Sequence, residues 1–362
     1  MKKFILSLLI FILLLSFSLS QDIPIVRIGI SKIEREITLS NVGKIHNSYI
    51  EIEVGGNGIL TIKEIENDSV ILNFGKDILI LTLPILIYPQ KDKIIGINSN
   101  YYRGMLEIND EKWLINILNL EDYLMGAVPS EMPPYYPLEA LKAQAVSART
   151  YVLANLKKHG NFDLCSSVHC QVYKGASYER EKSNIAVKET MGEVITYNGQ
   201  IIKAFYHSSS GGITENSEDV WGGYYPYLRS VKDVEELEKD TWSIFLSLND
   251  IKNKLRNLNI NIQDMFDIIL EKSSTDRVKN VIIKTDNNEF VIKGTQWREI
   301  FNLPSTLFKI DINNEGLYFY GRGKGHGVGL SQEGAKFLAE KGYNYKDIIK
   351  FYYQGVDIQK WY

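Results

Sequence analysis

The chain has 362 residues, 44% of them hydrophobic and 23% charged, with a formal net charge of −3. That is an ordinary globular composition, with enough apolar residues for a sizeable core that needs no staples. A slightly acidic chain lacks the basic excess that phosphate backbones demand, which excludes nucleic acid as the expected partner.

The first 20 residues stand apart. Lys2 and Lys3 precede an apolar run over residues 4–15, and small residues follow, with Ser18 and Ser20 placed for cleavage before Gln21. This is the pattern of a secretory signal peptide; left uncleaved, the same run is an N-terminal membrane anchor. No later segment is apolar enough to cross a bilayer. The expected location is therefore extracytoplasmic: secreted, periplasmic or held on the outer face of the cytoplasmic membrane. Membrane contact is confined to this segment.

Residues 21–100 alternate apolar and polar positions in runs such as IVRIGI, YIEIEV and SVILNF, and read as a β-rich region. Residues 101–230 follow as the first part of a mixed core. YYRGMLEI and KWLINILNL form a strand pair, and LEDYLMGAV is a short helix that leads into a proline-bracketed turn holding Glu131. Pro137 suits a first helical position. Leu141, Ala145, Ala148, Val152 and Leu156 then mark one buried face of a helix over 137–158, stopped by Gly160. A helix at 184–190 precedes strands around GEVITYNG and QIIKAFYHS, joined at the Asn198–Gly199 turn. Residues 231–293 read as an inserted α+β lobe. Residues 294–362 return to the core through the short helix GTQWREIFNLP, the strand GLYFYG, a glycine-rich turn and two final helices. The fold class is α+β.

Four stretches carry chemistry. Glu131 sits among Met132, Pro133, Pro134, Tyr135 and Tyr136. An apolar surround raises a carboxyl pKa into the range of a general acid, whereas the same residue on a solvated loop would do no chemistry. In HSSSGGITE (207–215), backbone N–H groups and hydroxyls suit sugar oxygens. His207 and Ser208 also raise a nucleophile reading, for which spacing supplies no acidic third member. GRGKGHGVGLSQEGA (321–335) lacks the spacing of a nucleotide-binding loop. Its glycines allow close backbone approach, and His326 and Gln332 are presented beside them. Finally, His159, Cys165, His169 and Cys170 are four zinc-type ligands, and Cys165 and Cys170 are the only two cysteines. A disulfide between them is the competing reading.

These stretches, in this order and with YYRGMLEI ahead of them, resemble the stage II sporulation protein D family, which includes amidase-enhancer-like members. The resemblance covers roughly residues 100–230 and 290–362. It implies a peptidoglycan lytic transglycosylase that cleaves MurNAc–GlcNAc bonds, preferably in strands stripped of stem peptides, and leaves 1,6-anhydro-MurNAc ends in cell-wall remodelling or sporulation. Glu131 would be the catalytic acid. His159, Cys165, His169 and Cys170 match a cluster that binds a structural zinc ion in some members. Gln144, Arg149, Tyr206, His207, Ser209, Thr214, His326, Ser331 and Gln332 would line a substrate groove. Lys324 departs from the resemblance, where an aromatic residue is expected. The reaction needs one carboxylate because the muramoyl C6 hydroxyl takes the place of water, whereas hydrolysis normally needs two. The competing function is a non-catalytic wall-binding partner that enhances an N-acetylmuramoyl-L-alanine amidase.

Overall fold

The structure is a computed structural model that describes residues 22–260, 262, 267–285 and 288–362. The signal or anchor expected at 1–20 lies outside the described residues. No helix among those described is long and apolar enough to cross a membrane.

The alternating N-terminal runs form two sheets, as period-2 patterning requires: in Ser69–Phe74, Val70 and Leu72 are buried while Ser69 and Ile71 are half-open. One sheet places, side by side, Leu164–Cys165, Ile25–Lys32, Trp113–Asn119, Met105–Ile108, Ile85–Pro89, Val42–His46 and Glu51–Glu53. The other orders Asn100–Tyr102, Ile95–Ile97, Ile37–Ser40, Leu60–Glu66, Ser69–Phe74 and Asp77–Thr82. Their inner faces share one apolar core with the helices that follow. The architecture is mixed α+β, as the sequence pattern indicates.

Strand Trp113–Asn119 runs straight into helix α1 (Leu120–Glu131), whose N-terminus is capped by Asn119 accepting from the Asp122 N–H. Glu131 therefore does not sit in a turn, as the flanking prolines led us to expect. It is the last residue of a helix that contains Pro129. Pro129 falls near the C-terminal end, where one missing N–H costs only one helical bond. Pro133 stops the helix by holding Met132 extended, at φ −123° and ψ 135°. Gly126 faces the segment after the cysteines so closely that a Cβ there would lie 2.7 Å from the Tyr173 ring.

Helix α2 (Leu138–Leu153) is shorter than expected, and Leu156 beyond its end is exposed. It is buried all round rather than on one face, because helices Glu181–Glu189, Gln332–Glu340 and Tyr345–Tyr352 pack around it. Small side chains at Ala140, Ala143, Ala145 and Ala148 permit that crowding. The Asn198–Gly199 hairpin forms as read, both residues having positive φ (50° and 78°). The following strand does not continue: Tyr206–His207 instead pairs in parallel with Leu330–Ser331, bringing the histidine-bearing stretches together.

A second core joins Ile251, Leu255, Val281, Ile283, Trp297, Phe301, Phe308 and Phe319. Helix Gly294–Phe301, expected to return to the first core, packs here instead through Trp297 and Phe301, which are 0% and 2% exposed. The lobe's own core thus extends through strands Phe308–Ile312 and Gly316–Arg322.

Candidate functional site

A cleft of about 930 Å³ runs between the helical core and the lobe. Glu131 and Ser130 lie on one wall, Phe205–Ser208 and His326 form another, and Arg298, Glu299 and Asn302 come from the lobe. The Glu131 carboxylate accepts a hydrogen bond from the Val172 N–H. That backbone is itself pinned. Gln171 accepts from the Tyr123 hydroxyl (2.9 Å) and donates to the Ala148 carbonyl (3.2 Å), and Tyr173 donates to Asn116 (2.9 Å). Burial raises the Glu131 pKa to about 7, against the lowering effect of the Val172 N–H. A group so poised is available as both acid and base near neutrality.

The histidines are not candidates for the acid. Burial, then the nearby His326, holds His207 well below the usual imidazole range, and its Nδ1 faces the Val328 carbonyl at 3.2 Å. Burial, then Arg298, likewise lowers His326, which accepts from the Val328 N–H through Nδ1. Both present neutral rings to the cleft. Because His207 Nδ1 meets a carbonyl and not a carboxylate, the Ser208 nucleophile reading lacks its orienting acid. Tyr206 lines the cleft, while its hydroxyl is buried behind the wall, without a hydrogen-bond partner among the described residues and within the field of Glu131.

The structure brings Glu131, Tyr206, His207, His326 and Gln332 to one cleft. Five other expected groove residues sit behind it. Gln144 is buried and accepts from Gln332 Nε2 at 3.3 Å, so it positions a wall residue. Ser331 caps helix Gln332–Glu340, accepting from Gly334 N–H. Ser209 and Lys324 exchange backbone bonds of 3.0 and 2.9 Å, and Thr214 accepts from the Val231 N–H. Arg149, expected to meet substrate oxygens, is instead fully buried. It makes two 2.8 Å bonds to Glu121 and further bonds to the Glu193 and Val187 carbonyls. Three carboxylates near Glu131 in sequence are engaged elsewhere: Glu121 pairs with Arg149, Asp122 accepts from Asn119, and Glu139 pairs with Lys142. Sequence reading missed Val172, Arg298, Glu299 and Trp221 in the cleft. Only Trp221 left a signal, as part of a stretch too aromatic for a plain linker.

His159, Cys165, His169 and Cys170 converge, with ligand atoms all within 4.8 Å of one another. His159 Nε2 is 3.2 Å from the Cys170 sulfur, and His169 Nδ1 lies 3.6 and 3.5 Å from the sulfurs of Cys165 and Cys170. A tetrahedral ion with bonds of about 2.0–2.3 Å sets ligand separations of roughly 3.3–3.8 Å, so this donor set fits one. Both cysteines are free thiols in this structure, as a metal-type cluster requires. The loop is held by the first sheet. Leu164–Cys165 pairs with Ile28–Gly29, and the Phe162 ring stacks on His159 at 4.7 Å.

The fold and site define a mixed α+β protein with one poised carboxyl in a cleft flanked by neutral histidines and a Cys/His metal-type cluster. A family model described as stage II sporulation protein matches residues 109–197, and a second, a domain of unknown function (DUF8618), matches 240–329. An uncharacterized protein of Brachyspira hyodysenteriae is 36% identical over 75% of this chain and 76% of its own length. Stage II sporulation protein D of Bacillus subtilis is 34% identical over 67% of this chain and 74% of its own. The amidase enhancer of the same organism is 30% identical over 65% of this chain but only 40% of its own length. The chain belongs to the stage II sporulation protein D family.

Proposed function

We propose that the protein is an extracytoplasmic lytic transglycosylase acting on peptidoglycan glycan strands, with Glu131 as its acid and base. The observation that carries this is the carboxyl at the end of α1, open to the cleft, restrained by one N–H and poised at about 7. Protonated, it donates to the glycosidic oxygen between MurNAc and GlcNAc. As carboxylate, it takes the proton of the C6 hydroxyl on the same muramoyl unit, whose oxygen closes onto C1 to give the 1,6-anhydro end. The glycosidic bond breaks, the C6–O–C1 bond forms, and the proton count is unchanged. Gln332, on the cleft wall, is the polar group that would hold a sugar oxygen, and Tyr206 would offer its ring face.

Glu299 is the one other carboxylate on the cleft wall among the described residues, and it is exposed. A hydrolase would use it as a base. Glu299→Gln should leave the rate within about threefold of wild type and keep anhydro ends in the products by mass spectrometry. Reducing ends in place of anhydro ends, or a rate loss of roughly a hundredfold, would establish hydrolysis instead.

The amidase-enhancing role is the second reading, favoured by the name of the Bacillus subtilis relative. Wild-type protein that binds purified glycan strands, releases no product and accelerates an added amidase would establish it.

The four-residue Cys/His set is assigned to a structural zinc ion. Bound there, zinc would supply cross-linking of the loop; with all four positions taken by side chains, none is open to activate water, which argues against a zinc hydrolase. The loop leads directly to Val172, whose N–H holds Glu131. Chelation should therefore raise amide exchange at residues 164–173 while helix α2 stays protected, and glycan cleavage should fall by about tenfold or more. Unchanged exchange in metal-free protein would remove zinc from the reading.

A further inference from the structure

The outward face of the lobe's three-stranded sheet carries ligand-binding chemistry that the cleft does not use. Strand register places Ser243, Tyr320 and Lys309 side by side, with Phe245, Tyr318 and Asp311 one step along the same face. Phe245 and Tyr320 are 45% and 48% exposed. The Tyr318 ring lies between them, 4.6 Å from Phe245 and 6.5 Å from Tyr320, nearly parallel to the latter at 12°. Three aromatic rings in a row on an open sheet face mark an interaction site.

At the Tyr320 end, the row opens into a cavity of about 490 Å³. Its charged lining is Lys272, Lys309, Arg322 and Asp276. Lys272 lies 3.7 Å from Asp276. Lys309 and Arg322 are in no ion pair among the described residues, so two cations remain for an anionic ligand. Thr241 and Ser243 add hydroxyls. Aromatic faces take the apolar face of a sugar ring, hydroxyls take its oxygens, and free cations select a carboxylate over a neutral saccharide.

The two cavities are neighbours along the chain. Arg322 lines this one and Lys324 lines the Glu131 cleft, and two residues of chain span at most about 7 Å. One polymer is thus suited to both. We propose that this face is a second binding site, for a carboxylate-bearing glycan strand, which retains the polymer while the cleft acts on it. The choice of polymer rests on the function proposed above; the site's preference for an acidic saccharide does not.

The test uses full-length Glu131→Gln protein, so that strands stay intact, with Tyr320→Ala or Lys309→Glu added. Both positions are exposed, and an unchanged melting temperature checks folding. Each change should weaken binding to long, peptide-free glycan strands by at least tenfold, while a neutral chitin oligosaccharide binds poorly to parent and variant alike. With Glu131 restored, Tyr320→Ala should raise KM for long strands at least fivefold with kcat unchanged, and cleave a short soluble oligosaccharide as wild type does. Binding within twofold of the parent for both variants would overturn the site. Equal binding of the neutral saccharide would overturn its acidic selectivity, and tighter binding of a phosphate-rich wall polymer would overturn the choice of strand. Because the binding arm needs no turnover, an inactive wild-type protein would defeat the transglycosylase reading and leave this measurement decisive.

Discussion

Glu131→Gln should lower glycan cleavage by roughly 10³-fold, the scale of a lost general acid, while strand binding stays within a few-fold of wild type. Glutamine keeps an oxygen for the Val172 N–H but has no proton to give. The wild-type pH profile carries the same signature. The free protein needs Glu131 protonated for the first transfer, so kcat/KM should be level below the Glu131 pKa and fall tenfold per pH unit above about 7. Stability supplies a check that involves no substrate. Burial raises the folded-state pKa from 4.5 to about 7, so the folded state holds its proton more tightly than the unfolded one. The stability this lends is full below pH 4.5 and is lost as pH rises through about 7. Allowing for water in the cleft, the loss is on the order of 2 kcal/mol. Glu131→Gln should therefore match wild type at pH 5 and melt a few degrees higher at pH 8. Wild-type activity that rises through pH 7, or a variant less stable at pH 8, would remove Glu131 as a buried acid.

Much of this site is local and was legible. The helix leading to Glu131, the asparagine–glycine hairpin and the clustered Cys/His ligands each follow from residues a few positions apart. What was not legible depends on chain segments that meet only in the fold. The N–H that restrains Glu131 comes from Val172, 41 residues on, and no backbone donor advertises itself in a side-chain pattern. Arg298 and Glu299 reach the cleft from a helix whose apolar face serves the lobe. Helix α2 shows the converse error. A polar residue on an alanine-rich helix reads as facing a groove or water, so Gln144 and Arg149 looked like ligands for sugar. Three helices from later in the chain close over that surface and convert both into interior groups. The prolines around Glu131 misled in a similar way: near a helix end proline costs little, so a helix persisted where a turn was expected.

The burial of Arg149 has a large expected effect of its own. Arg149→Met should destabilise the protein by about 3–5 kcal/mol, the usual result of removing one member of a buried pair. Glu121 would be left with the Gly192 N–H and the Tyr362 hydroxyl but without its counter-charge, at a position where its side chain is only 4% exposed. Adding Glu121→Gln to Arg149→Met should recover most of the stability, since a neutral amide needs no counter-charge and still accepts those two bonds. Denaturant melts of the single and double variants measure both steps. Glycan binding by the double variant should equal that of wild type, because neither residue lines the cleft. Weakened binding in a protein of restored stability would return Arg149 to the substrate groove, and an undiminished melting midpoint in Arg149→Met would show that the pair does not hold α1 against α2.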